Sequence, residues 1–417
     1  ISACLVGSEM CIRDSMKTMN RILSSILIGT LCLSCTSSRN FKVDTALSYC
    51  INQVDSTLNV LETYDAIPRN ISNDAPTKAW KCTSVHDWTS GFWPGILWYA
   101  YEYTQDKRLL AESEAFSTAL YPVLDRKVTH HDLGFMMYCS LGNGYRLTGN
   151  PEYKQMLLRT ADSLSVLYNP VVGTINSWPN ECRKKGWPHN TIIDNMLNLE
   201  LLFWASKNGG GQRFYDIAES HAEVTMKNQF REDYSTCHVV VYDTISGERI
   251  KQVTHQGYAD SSMWARGQGW AIYGFTMCYR ETGRKDFLDI ARKAAGIYLK
   301  NLPEDKVPYW DFDDPAIPDA PRDASAAALV ASALLELSQY VDKSESQYYI
   351  SEATKMLESL SSEQYQSRDK NYAFLLHSTG HKPHGYEIEA SIIYADYYYI
   401  EALLRWKKIN EGKDLFK

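Results

Sequence analysis

The sequence predicts an all-α fold, a single-domain (α/α)6 toroid, and two observations carry that prediction. Six long amphipathic segments recur along the 417 residues, each opening on or beside an acidic residue. Between them lie helical segments that are more charged on one face. A helix that is apolar on most faces touches neighbours all round, while one with a charged stripe keeps a solvent face. Alternation of the two is what a ring of six inner and six outer helices requires. No Pro- or Gly-rich linker divides residues 50–417, so one domain is expected there.

The six segments are "HDWTSGFWPGILWYAYEYT" from His86, "HDLGFMMYCSLGNGYRLTG" from His131 and "IDNMLNLELLFWASKNG" from Ile193, then "DSSMWARGQGWAIYGFTMCYRETG" from Asp260, "RDASAAALVASALLELSQY" from Arg322 and "EASIIYADYYYIEALLRW" from Glu389. In "YTQDKRLL", "LTGNPEY" and "ETGRKDF" a Gly or polar residue stops one helix and lets the next begin. Outer helices are expected over 151–168, 214–230, 285–299 and 347–360. Strands are sparse. "CHVVVYDT" (237–244) and "ERIKQVTHQG" (248–257) read as a hairpin across Ser246-Gly247, in the connection before Asp260.

Residues 1–15 read as a non-native prefix ahead of a start at Met16. A basic segment to Arg21, an apolar run over 22–34 and then Cys35 read as a secretory signal over 16–35, too short to span a membrane. Cys35 sits where bacterial lipoproteins are lipidated. The protein is therefore expected to be exported, to the periplasm or as an outer-membrane lipoprotein, with membrane contact only through that anchor. Residues 36–49 are expected as a linker and 50–417 as the catalytic domain. The formal net charge of -7 leaves no basic excess for nucleic acid. Cys50, Cys82, Cys139, Cys182, Cys237 and Cys278 are widely spaced and show no zinc pattern, so buried thiols are expected. No cofactor or metal is expected.

In a toroid the inner helices run parallel, so Asp87, Asp132, Asp194, Asp260, Asp323 and Glu389 converge at one mouth. Asp is a good N-cap, worth ~1 kcal/mol. Most of the six are therefore expected to cap or brace, and at most two or three to react. The loops ahead of these helices also hold Trp88, Phe92, His131, Trp178, His189, His238, Gln256, Trp264, Arg266, Trp270 and Trp310. Paired carboxylates, several Trp and a lone Arg fit carbohydrate chemistry, since flat aromatic faces stack on sugar rings. "TIIDNMLNLELLFWA" (191–205) sets Asp194 among apolar residues with no basic residue in the stretch. Burial and a neighbouring carboxylate raise such a pKa and leave a proton on the acid. Asp132, beside His130 and His131, has more ways to stay ionised. Arg266 either holds a substrate carboxylate or closes a helix-end ion pair. "DFDDPAIPD" (311–319) either holds Ca²⁺ or caps and braces the next helix. The sequence has no G-x-S-x-G, P-loop or H-E-x-x-H.

From about Cys50 to Trp406 the chain resembles glycoside hydrolase family 88, the unsaturated glucuronyl hydrolases. The matching motifs are "DWTSGFWPG", "HDLGFM", "IIDNMLNL", "WARGQGWAIYGF", "DFDDP" with "RDASAA", and "IIYADYYYIEALLRW". The resemblance implies the α/α toroid and an unusual reaction. An acid protonates C4 of a 4,5-unsaturated uronic acid, water adds at C5, and the hemiketal opens to release the next sugar. By motif matching Asp194 is the general acid/base and Asp132 assists it. Trp88 and Phe92 then wall or stack on the ring, and His238, Gln256, Arg266 and Trp270 contact the uronate or its reacting region. His131, Trp178, Trp264 and Trp310 are further implied contacts. Gly267 stands where a Ser is common in the family. In the late loop "HSTGHKPHGYEIE" (377–389), Ser378 and Lys382 are implied sulfate contacts, which would favour chondroitin- or heparin-type fragments. The expected partner is a small anionic unsaturated oligosaccharide. The rivals are a family 105-like rhamnogalacturonyl hydrolase acting on pectin fragments, a non-catalytic glycan-binding surface lipoprotein, and a conventional inverting hydrolase.

Overall fold

Apolar spacing decides which helices lie inside. The segment Ala324–Leu337 ("ASAAALVASALLEL") has every residue buried. By contrast Lys285–Asn301 buries Phe287, Ile290, Ala291, Ala294, Ala295 and Tyr298, one stripe at helical spacing, and keeps its charges in water. The computed structural model describes residues 41–416 except 73 and 76, and six helices of each kind alternate among the described residues. In chain order they are α1 (Val43–Leu58), α2 (Phe92–Thr104), α3 (Lys107–Thr118), α4 (Gly134–Gly142, continuing as Asn143–Thr148), α5 (Pro151–Ser165) and α6 (Ile193–Asn198, continuing as Leu199–Ala205). Then follow α7 (Gln212–Asn228), α8 (Ala265–Thr282), α9 (Lys285–Asn301), α10 (Ala324–Leu337), α11 (Lys343–Leu360) and α12 (Ile393–Asn410).

The even-numbered helices are inner. Each packs on the next, and α12 packs back on α2, which closes the ring. Each also packs on an outer helix, α12 on α1 and the others on the helix that follows. The expected (α/α)6 toroid is therefore the fold. Two outer helices lie outside the expected set. Val43–Leu58 begins inside the segment expected as a linker, because Val43, Ala46, Leu47, Cys50 and Val54 form a buried stripe. In "YTQDKRLL", Asp106 caps α3 by accepting from the Arg108 N–H, so a full helix follows the turn. The calls on residues 1–15, on the signal over 16–35 and on Cys35 lie outside the described residues.

Ring closure needs close approach. A Cβ on Gly95 of α2 would lie 2.5 Å from the Tyr397 ring of α12 and 2.6 Å from the Cys139 carbonyl of α4. Gly95→Ala is expected to cost about 1–3 kcal/mol of stability, the usual range for overpacking. Urea denaturation reads this directly; an unchanged midpoint would mean that the three helices have room to part.

Short antiparallel strands lie in the connections. Ile67–Ile71 pairs with Lys81–Thr83 and with Ser391–Ile392. The expected hairpin is present as Val239–Tyr242 and Arg249–Val253, turned by Asp243, whose carboxylate accepts from the Ile245 and Ser246 N–H groups. A third strand, His189–Ile192, pairs with the first and leads straight into Asp194. All four of its residues are buried, so it lacks the polar–apolar alternation that marks a half-exposed strand. His189 belongs to this sheet, bonded to Thr174 at 2.8 Å, and not to the mouth of the ring.

The other end of the barrel holds a cavity of about 470 Å³ lined by charged side chains, among them Glu102, Arg146, Glu200, Arg280, Glu401 and Arg405. Arg280 bridges Glu200, Glu281 and Glu336 there, and Arg405 bridges Glu336 and Glu401. No helix among the described residues is long and apolar enough to cross a membrane. The six described cysteines are free thiols.

Candidate active site

The starts of the inner helices meet at one end. The Trp88 ring, just ahead of α2, touches Phe92, Phe135 at the start of α4 and Tyr394 at the start of α12. Arg266 in the first turn of α8 bonds Asp323, the N-cap of α10, at 2.6 Å. Four of the six acids brace this end, as expected for most of them. Asp87 holds Arg69 and the Thr89 N–H. Asp260 accepts from the Thr254 N–H, Asp323 caps α10, and Glu389 accepts from the Arg322 N–H and pairs with His377. Asp194 and Asp132 are left with no capping role.

Asp194 enters from strand His189–Ile192, and the Ile193 N–H donates to the His238 carbonyl, so backbone pairing fixes its position. Its Oδ2 is enclosed without a hydrogen-bond partner. Burial pushes its pKa from 3.8 up to about 7; Arg266 pulls against this and the Asp132 charge adds to it. His238 Nε2 lies 3.6 Å from Oδ2. His238 Nδ1 accepts from the His255 and Gln256 N–H groups at 3.2 and 3.1 Å. Burial first, then nearby positive groups, hold His238 well below the usual imidazole range. A neutral ring whose Nδ1 is an acceptor carries its proton on Nε2, so that N–H faces Asp194.

Asp132 lies between two imidazoles, His130 Nδ1 at 2.9 Å and His131 Nε2 at 3.4 Å. Burial opposes its charge, but the two histidines outweigh burial and hold its carboxyl below the usual range. His131 is fully buried and pushed down by that burial, whereas His130 is raised by Asp132 in spite of its own desolvation. The two rings thus respond to Asp132 in opposite directions. The Asn198 amide orients His131: its Oδ1 takes the Phe135 N–H, which leaves its NH₂ facing His131 Nδ1 at 3.1 Å.

Several of the sequence-derived contacts are engaged within the protein itself. Phe92 is fully buried behind Trp88 and supports that ring from beneath. Trp310 is buried, with its indole N–H on Asp314, and lies under Lys382. Lys382 is paired with Asp314 at 2.6 Å, so its charge is already compensated. Ser378 is fully buried, its backbone pairs with Ala390, and its hydroxyl has no hydrogen-bond partner. "DFDDPAIPD" braces the loop ahead of α8, behind it in sequence, and not the next helix. Asp311 accepts from Tyr258 N–H and Ser262 hydroxyl, and Asp313 from Met263 N–H. Arg266 closes the ion pair of its second reading and also acts on the acid. It is 2% exposed and bonds Asp323 and the Thr379 and Gly380 carbonyls, yet its charge reaches Asp194.

The other expected residues do gather. Trp264 packs against His238 at 4.6 Å and beneath the Arg266 guanidinium, also at 4.6 Å. Trp270 packs between Phe135 and Tyr398. Trp178 stands half-buried beside His131, His238 and His255. Gln256 donates to the Gly380 carbonyl at 3.1 Å. The indole N–H groups of Trp264 and Trp270 join Asp194 Oδ2 and His238 Nε2 as buried polar atoms without partners. Such atoms are rare in folded proteins, and their collection at one place marks a site that a polar ligand completes. Cβ space at Gly267 is closed by the Trp264 ring at 2.6 Å, so a side chain there would move that indole. Sequence reasoning missed Asn198 and Tyr394, the latter a wall under Arg266 at 5.3 Å. Both sit inside apolar helical runs and give no local signal.

Residues 63–413 match the model of Glycosyl Hydrolase Family 88. An "Unsaturated glucuronyl hydrolase" from Formosa agariphila is 46% identical over 81% of this chain and 84% of its own. An "Unsaturated chondroitin disaccharide hydrolase" from Streptococcus pneumoniae is 33% identical over 88% of this chain and 92% of its own. A solved structure of an unsaturated glucuronyl hydrolase specific for heparin superposes with a TM-score of 0.84 at 41% identity, covering 88% of this chain and 98% of that one. A toroid of this topology, two carboxyls at its mouth shifted in opposite directions and matches of this extent lead to one assignment: the chain is a glycoside hydrolase and belongs to family 88.

Proposed function

We propose that the protein removes the terminal 4,5-unsaturated uronic acid from lyase-generated, glycosaminoglycan-type oligosaccharides by hydrating the C4=C5 bond. The observation that carries this reading is the orphaned carboxyl of Asp194, with a pKa of about 7, facing a neutral His238. The names of the relatives support the substrate class. Protonated Asp194 gives its proton to C4, the charge that develops toward C5 and the ring oxygen is met by water, and Asp194 takes a proton back from that water. The resulting C5 hemiketal opens and releases the next sugar. Asp132 stays ionised, and its charge raises the proton affinity of Asp194. Trp88 offers the half-exposed ring, and the Trp264 and Trp270 N–H groups offer donors.

Turnover is expected to fall as pH rises through about 7, because the reactive form of Asp194 is the protonated one. On the acid side it falls only where Asp132, held below the usual carboxylate range, takes up a proton. A pH profile of kcat/KM measures both limbs; a profile flat from pH 6 to pH 9 would remove Asp194 from the acid role.

The direct test is a panel of unsaturated disaccharides of chondroitin, hyaluronan, heparin and pectin type, each beside its saturated counterpart. Loss of the double bond's ultraviolet absorbance with release of the reducing sugar, on uronyl substrates alone, supports hydration. Cleavage of a saturated partner instead overturns it, and preference for the pectin type shifts the reading to the family 105-like alternative. Export with lipidation at Cys35 belongs to the same proposal, on the signal-like composition of residues 16–35. Palmitate labelling lost in Cys35→Ala is the expected result; labelling of neither form counts against it.

A further inference from the structure

Three histidines outside the acid pair come together at the rim of the site. His255 lies in the loop between strand Arg249–Val253 and α8, and His381 and His384 lie at the short helical turn Lys382–His384 of the late loop. One ring nitrogen from each falls within a set whose members all lie within 4.8 Å of one another. The ring centroids are 4.7 Å apart for His255–His381, 5.0 Å for His255–His384 and 4.0 Å for His381–His384.

The two loops are already tied. Gln256 donates to the Gly380 carbonyl, and the His255 N–H donates to His238 Nδ1. The scaffold thus holds the rings together without help from the rings themselves. Both nitrogens of His381 are enclosed and have no hydrogen-bond partner, a cost that folded proteins rarely leave unanswered. Neutral imidazole is the form that binds metal.

We propose that His255, His381 and His384 form a binding site for a late first-row divalent cation, of the Zn²⁺, Ni²⁺ or Cu²⁺ class. An all-nitrogen set suits these ions and not Mg²⁺ or Ca²⁺, which need oxygen. Metal–nitrogen bonds of about 2.0–2.1 Å bring tetrahedral ligands to roughly 3.4 Å from one another. The rings must therefore close in, and the stacked His384 must turn to aim a nitrogen at the ion. His384 is exposed, on a short turn, and has the freedom to do so. The remaining coordination position faces water at the rim. A bound ion pins the late loop to the loop that carries Gln256 and so stiffens the wall of the site beside Trp178. The binding claim stands apart from the proposed reaction; the effect on the wall rests on it.

The test uses the full chain without a histidine tag, dialysed against Zn²⁺, with zinc counted by atomic emission. One equivalent per chain is expected, and His384→Ala and His381→Ala are expected to bind at least roughly 100-fold more weakly, beyond what loss of an outer-shell partner costs. Circular dichroism checks that the variants fold. Co²⁺ in place of zinc should give d–d bands without a thiolate charge-transfer band. Zinc retained by His384→Ala, a thiolate band, or no zinc held by the wild type at micromolar concentration would each overturn the site. Added Zn²⁺ should alter turnover of the wild type but not of His384→Ala; equal effects on both would sever the ion from the wall.

Discussion

Asp194→Asn should lose at least about 10²–10⁴-fold in turnover on an unsaturated disaccharide, the range that general acid catalysis supplies, while keeping its fold. Asn matches the shape of the carboxyl but has no proton of suitable acidity to give to carbon. The fold should not suffer, because no hydrogen bond ends on the enclosed Oδ2. Stability should even respond in the opposite direction. The folded protein keeps a proton on Asp194 up to about pH 7, whereas the unfolded chain releases it near 3.8. Between those values the folded state binds more protons, so stability falls as pH rises. Asp194→Asn lacks that term and should be at least as stable as the wild type above pH 7. Thermal melts at pH 5 and pH 8 give the comparison. Near-normal turnover would remove Asp194 from the reaction.

Asp323→Asn should cost about 3–5 kcal/mol, the usual penalty for leaving one member of a buried ion pair alone. Arg266 is 2% exposed and Asp323 fully buried, and they meet at 2.6 Å. Burial raises the Asp323 carboxyl, while Arg266 and the capping bonds from α10 oppose that rise. Asn can still take the cap bond, so the variant isolates the charge. A second effect follows from the same pair. With its counter-ion gone, Arg266 acts more strongly on Asp194, whose pKa it already pulls down. The alkaline limb of the pH profile should therefore move to lower pH. Lost stability with an unmoved limb would show that Arg266 serves only the fold.

The ring and the acid pair were legible because both leave local signals. Inner helices are apolar all round, and an unaccompanied Asp in "TIIDNMLNLELLFWA" is rare enough to ask for a reason. The start of each helix was harder. Asp87, Asp260 and Glu389 lie in the loops, several residues ahead of Phe92, Ala265 and Ile393, because the acids brace loop backbone where the sequence suggested caps. Arg266 could not be placed from its neighbours in sequence, since its partners at 323, 379 and 380 come from far along the chain. The surroundings of Ser378 and Lys382 were hidden for a related reason. The partners that cover or neutralise them, Ala390 and Asp314, are set by loop packing that no spacing reveals.

The closed ring also has a kinetic meaning. Its last seam joins α12 to α1 and α2, segments about 300 residues or more apart, and Tyr49 and Gln53 of α1 bond the carbonyls of Phe374 and Ala373 across that seam. Contacts of such high contact order form late, because the entropy of closing the loop is lost before any contact rewards it. Until then the chain is an open arc with the apolar flank of α2 unpaired. The mouth is equally unfinished, since Tyr394 and the Gly380 carbonyl that hold Arg266 arrive with the final quarter of the chain. Recovery of activity during refolding therefore reports the closing of the seam, and it should lag behind recovery of helix.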